Sequence, residues 1–95
     1  MNYEWGEAKS RANRRKHGIE FEVVADFDWS TAVTQIDDDE HHDELREVAY
    51  GFIATTLFVL TFTDRGDRCR VISLRKAERR EARYYVQARR EIDGG

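Results

Sequence analysis

The 95-residue sequence predicts an α+β fold, with helices first, then an antiparallel sheet, then a helix packed on that sheet. Three observations carry this prediction. A run of helix formers ending at a glycine opens the chain. Segments rich in Val, Ile, Phe, Tyr and Thr follow one another through the middle, and helical spacing returns at the end. Strands that follow one another without intervening helices are not a βαβ alternation, so a Rossmann-like parallel sheet is disfavoured. A chain this short buries one modest core, so a single domain over 1–95 is expected.

Residues 7–16 are good helix formers and lead to Gly18, a residue suited to a left-handed C-terminal cap. Gly6 supplies no side-chain N-cap, so this helix starts with less support. In 21–27, Phe21, Val24, Ala25 and Phe27 fall close to one helical face and predict a short second helix. Residues 31–36 are β-branched and read as a strand, and the acidic run 37–44 reads as a polar loop. Segments 47–54, 57–63 and 68–74 read as consecutive antiparallel strands, the last two joined by Asp64-Arg65-Gly66-Asp67. Residues 76–92 place Ala77, Tyr84, Ala88 and Ile92 near one stripe of a long amphipathic helix. No proline marks any boundary.

The net charge of −3 hides a segregated pattern. Five basic side chains (Lys9, Arg11, Arg14, Arg15, Lys16) lie between Lys9 and His17 with no acid among them. Ten acids and no Lys or Arg occupy 20–44, and ten basic residues face three acids over 65–90. If the two basic stretches meet in the fold, they form a patch that attracts phosphates; solvated helix faces are the simpler reading of charge alone. One cysteine, Cys69, cannot form an internal disulfide. No apolar run is long enough to span a bilayer, and the N-terminus has no secretory h-region, so a reducing cytoplasm is expected and no membrane partner. Ser73 lacks a Gly-x-Ser-x-Gly elbow, and the 37–44 run with His41 and His42 fits neither a calcium-loop nor a zinc spacing. No metal or other cofactor is expected.

Three clusters taken together resemble the BrnT family. The first is Trp5, Lys9, Asn13 and Lys16-His17-Gly18, continuing into Phe21-Glu22 and Ala25; the second is Asp43-Glu44 with Arg46 and Gly51. The third runs through Thr63, Arg65-Gly66, Arg70-Val71-Ile72-Ser73, Arg75-Lys76-Ala77 and Arg80-Glu81 to Tyr84. The chain departs from the family pattern at Gly6, where Asp is frequent, and at Leu74, where a small residue is frequent. The resemblance implies a RelE-like fold and a ribonuclease toxin of a type II toxin–antitoxin system that inhibits translation and growth. It also implies a BrnA-like antitoxin, which forms a heterotetramer with the toxin and binds operator DNA through its own ribbon-helix-helix part. Apolar side chains such as Phe52 and Trp29 belong either to that interface, as exposed residues, or to the core.

For the RNA cleavage so implied, the 2′-hydroxyl is the nucleophile when no metal takes part. The enzyme then needs a base, a donor to the leaving oxygen and positive charge on the phosphate. The candidate catalytic residues are His17, Arg65, Arg75, Glu81 and Tyr84, with Lys9, Lys16, Arg70 and Arg80 as RNA-binding residues. His17 is either the proton carrier or a cation at a helix end. Arg65 and Arg75 can grip phosphate bidentately. Glu81 is either the base or, as favoured here, an ion-pair partner that holds an arginine. Tyr84 is either at the site or in the core. Ser73 shares a strand face with Arg75 by period two. A second reading from another class is a non-catalytic co-repressor that uses the same basic patch only in complex with its antitoxin.

Overall fold

The computed structural model describes residues 1–37 and 44–94. A short strand, β1 (Asn2–Glu4), precedes helix α1 (Glu7–His17), and two 3-10 helices follow at Phe21–Asp26 and Trp29–Thr31. Strands β2 (Val33–Asp37), β3 (Arg46–Ile53), β4 (Thr56–Asp64) and β5 (Arg68–Lys76) lead into helix α2 (Arg79–Gly94). The fold is therefore α+β. The expected polar loop falls mostly on 38–43, outside the described residues.

The five strands lie in the order β1-β5-β4-β3-β2. All neighbours are antiparallel except β1, which runs parallel to β5. Strand β1 is too short to show an alternation, and sequence reasoning missed it. Pairing sorts the sheet into two faces. Leu60 stands opposite Ala49 and Leu74 on one face, and Val59 stands opposite Tyr50 and Arg75 on the other. The first face is covered by the first 3-10 helix and α1, burying Phe21, Val24, Phe27, Phe58, Leu60, Val71 and Leu74. The second carries Val33, Tyr50 and Val59 with Tyr85 of α2.

The second helix is a 3-10 helix rather than an α-helix. Its core residues Phe21, Val24 and Phe27 recur every third position, the period at which 3-10 side chains line up, while Ala25 is exposed. Phe27 lies so close over β3 that a Cβ at Gly51 would sit 2.5 Å from its ring. Trp29 and Phe52 are half-buried, one in each core, and the Trp29 indole donates to the Tyr3 hydroxyl at 2.7 Å. At the other helix, Gly18 takes the left-handed cap at φ +70°, and Gly6 caps α1 with no side-chain bond, both as expected.

Two details of the C-terminal half depart from expectation. Strand β5 runs on to Lys76 and Ala77 N–H donates to the Leu57 carbonyl at 2.9 Å, which delays α2 to Arg79. The packed tyrosine is Tyr85, whose hydroxyl donates to the Thr31 carbonyl at 2.8 Å; Tyr84 and Ile92 are exposed. In β5, Thr61 pairs with Ser73 but Phe62 pairs with Val71, so Ile72 is an extra bulged residue. The bulge lets Val71 and Leu74, three apart, enter the same core, while Ser73 and Arg75 stay on the α2 face.

Candidate functional site

Strand β1 pairs with β5 only as far as Arg70, so beyond that point the outer edge of β5 is left for α1 to meet. The seam is closed by Asn13, buried to 6% exposure. Its Nδ2 donates to the Leu74 carbonyl at 2.8 Å and to the Ile19 carbonyl at 3.0 Å, and its Oδ1 accepts from Leu74 N–H at 3.1 Å. The end of α1 is thereby set against Ser73 and Arg75. Between them lies a hollow of about 200 Å³ lined by Lys9, Asn13, Lys16, His17, Ile72 and Ser73, along with Ala12. Three of its lining side chains are basic and none is acidic, which suits a phosphate.

Next to the hollow, Arg75 and Glu81 form a fork. Arg75 Nη1 and Nη2 donate to Glu81 Oε1 and Oε2 at 2.7 Å each, and Glu78 N–H donates to Glu81 Oε1 at 2.8 Å. The carboxylate thus serves two tasks, orienting the arginine and capping the first turn of α2. Its hydrogen bond from Arg75 holds Glu81 below the usual carboxylate range, and the same bond pushes the guanidinium up. The Arg75 side chain keeps 29% of its surface exposed, so its edge remains open to a ligand. Burial first, then the charges of Lys16 and Arg75, pull His17 below its ordinary value of 6.5. It is therefore the neutral imidazole near pH 7, able to accept a proton.

Arg75, Val59, Tyr50 and Val33 form one cross-strand row beneath α2. Tyr50 was absent from the sequence-derived candidates; its only signal is a polar tip on an otherwise apolar strand. Gln35 Nε2 donates to the Tyr50 hydroxyl at 2.9 Å and the Tyr84 hydroxyl donates to Gln35 Oε1 at 3.2 Å. The two tyrosine rings lie 5.1 Å apart. Burial raises the Tyr50 hydroxyl, and the nearby Glu81 charge adds to this. Tyr84 accordingly sits at the exposed rim of this face rather than in the core.

The predicted residues divide into two groups. His17, Lys9, Lys16, Arg75 and Glu81 gather at the α1–β5 seam, with Arg80 one residue before Glu81, in a long 3.7 Å ion pair to Glu78. Arg70 lies five residues before Arg75 on β5, roughly 16 Å away at about 3.3 Å per residue, and Arg65 lies farther still, in the turn before the strand begins. Each is held by an acid there, Arg65 by Glu44 at 2.7 Å and Arg70 by Glu4 at 2.8 Å. Among the described residues no three His, Cys, Asp or Glu side chains converge as metal ligands, and no helix is long and apolar enough to cross a membrane.

No curated protein gives a significant match to the chain. Residues 5–81 match a family model described as ribonuclease toxin, BrnT, of type II toxin-antitoxin system.

Proposed function

The chain belongs to the BrnT family of ribonuclease toxins of type II toxin–antitoxin systems, and from that membership we propose that it cuts RNA without a metal at the α1–β5 seam. The observation that carries this reading is the meeting of a neutral histidine, an oriented arginine and an acid-free basic hollow. Lys9 and Lys16 draw the RNA backbone into the hollow, and Arg75 grips the scissile phosphate with the N–H groups Glu81 leaves unused. His17 takes the proton of the 2′-hydroxyl as the 2′-oxygen attacks phosphorus. The P–O5′ bond breaks, and the leaving 5′-oxygen takes a proton from a solvent water. The products are a 2′,3′-cyclic phosphate and a 5′-hydroxyl. Charge builds on the phosphate as it passes through the transition state, and Arg75 is fixed in place beforehand to meet it. Arg80, at the start of α2, extends the positive track; Arg65 and Arg70 act on a more distant part of the RNA.

A type II system includes an antitoxin partner. The finer reading is that this partner is BrnA-like, forms a heterotetramer with the chain and brings it to operator DNA, and that the free toxin stops translation in the cytoplasm. The deciding experiment induces the chain alone, beside a His17→Ala, Arg75→Ala double variant at matched folded levels, and treats RNA with the purified proteins in the presence of EDTA. Cleavage by the native chain alone, leaving cyclic phosphate ends, supports the reading. Intact RNA with both proteins folded sinks it in favour of the co-repressor.

A further inference from the structure

Asn13 carries no charge and lies under the hollow, yet all three hydrogen bonds of its carboxamide cross from one element to another. Leu74 N–H donates to it at 3.1 Å, and it donates to the Leu74 carbonyl at 2.8 Å and the Ile19 carbonyl at 3.0 Å. For this stretch of β5 the side chain does what a neighbouring strand would do, since β1 stops pairing at Arg70. Leu74 is the residue between Ser73 and Arg75, and Ile19 is two residues past His17. A tether serving only stability could sit anywhere along the seam; this one joins the backbone beside Arg75 to the backbone beside His17. We propose that Asn13 is a positioning residue for RNA cleavage, holding His17 and Arg75 in register across the α1–β5 seam, an inference that rests on the nuclease reading above.

Without the tether the end of α1 and the edge of β5 shift independently. The base and the phosphate grip then lose their common frame, and misplacement of about 1 Å costs roughly a hundredfold in rate. The groups that set the His17 environment are Lys16 on its own helix and Arg75 from β5. Release from burial and from Arg75 therefore moves its titration upward.

The test compares the full chain with Asn13→Ala and with Val24→Ala, a core substitution away from the hollow that lowers stability and leaves the tether intact. Three quantities are read: single-turnover cleavage of an RNA oligonucleotide, binding of its 2′-deoxy analogue, and the NMR titration of the His17 imidazole, assigned with His17→Gln. The expected result is that Asn13→Ala cleaves roughly a hundredfold more slowly, binds the analogue almost as well and titrates His17 higher, while Val24→Ala keeps rate and titration. Matching behaviour of the two variants overturns the proposal and leaves Asn13 a purely structural residue. If Asn13→Ala does not fold, Asn13→Ser, which keeps a polar group at the seam, is read against the same two outcomes. Failure of the unsubstituted, folded chain to cut RNA is a different result: it removes the nuclease reading and this inference with it.

Discussion

Arg75 and Glu81 face each other as a two-pronged fork, both prongs at 2.7 Å, with the acid side chain only 14% exposed. The geometry assigns Glu81 to holding the arginine, because its oxygens are taken by Arg75 and Glu78 N–H. Glu81→Gln should therefore slow cleavage by only about tenfold, as expected for a guanidinium retained but loosened. His17→Ala should cost on the order of 10²–10⁴, the usual worth of a general base. Equal losses in a single-turnover assay would make Glu81 the base instead.

The pH dependence follows from the same groups. His17 is held below 6.5, so it is mostly neutral near pH 7, and cleavage should fall off only on the acid side of 6.5. Because its folded value lies below its unfolded one, the unfolded chain binds more protons under 6.5; the stability tied to neutral His17 is present above 6.5 and lost as the pH falls through the folded value. Glu81 is lowered as well, and its contribution is present above the ordinary carboxylate value of 4.5 and lost below it. Arg75→Ala removes one of the charges that depress His17. It should move the His17 titration up, as measured by NMR; an unchanged or lower value would separate the two residues.

Gly51→Ala tests the close approach of the 3-10 helix to the sheet. The added methyl would sit 2.5 Å from Phe27 Cζ and 2.9 Å from Cε2, inside any tolerated contact, and Phe27 is itself buried. Overpacking of this kind costs about 1–3 kcal/mol. Gly51→Ala paired with Phe27→Leu should recover part of the loss in a denaturant titration, and no recovery would locate the cost elsewhere.

Much of this architecture was legible in the residues, and the exceptions have physical causes. Gly18 marked the end of α1 because only a left-handed cap fits there, and the apolar runs of β3, β4 and β5 stated their own pairing order. The phase of α2 was not legible from spacing alone. It is set by tertiary contacts, Ala77 N–H on Leu57 and Glu81 under Arg75, which put Glu81, Tyr85 and Ala88 on one stripe and leave Tyr84 at the rim. Similarly, Lys9, Lys16, His17 and Arg75 could be named as candidates, but their meeting depends on Asn13 bonding a residue 61 positions away. Arg65 shows the converse: a turn arginine well placed for phosphate in the sequence is paired with Glu44 at the far end of β5.

The single thiol supplies a last prediction about which parts of the fold open. Cys69 is 4% exposed between Phe62 and Val71 in the core, and burial, with Asp64 and Glu47 nearby, pushes its thiol up to about 11. The thiolate is the reactive form, so a disulfide reagent at pH 8 should label the native chain far more slowly than the denatured one. The raised value also means that the unfolded chain loses this proton first. Stability tied to the neutral thiol is full below 9.0 and lost as the pH rises towards about 11. Labelling at pH 8 should then track global unfolding across a denaturant series. Rapid labelling under native conditions would show instead that the short β1–β5 edge opens by itself, since Tyr3 of β1 is the residue paired with Cys69.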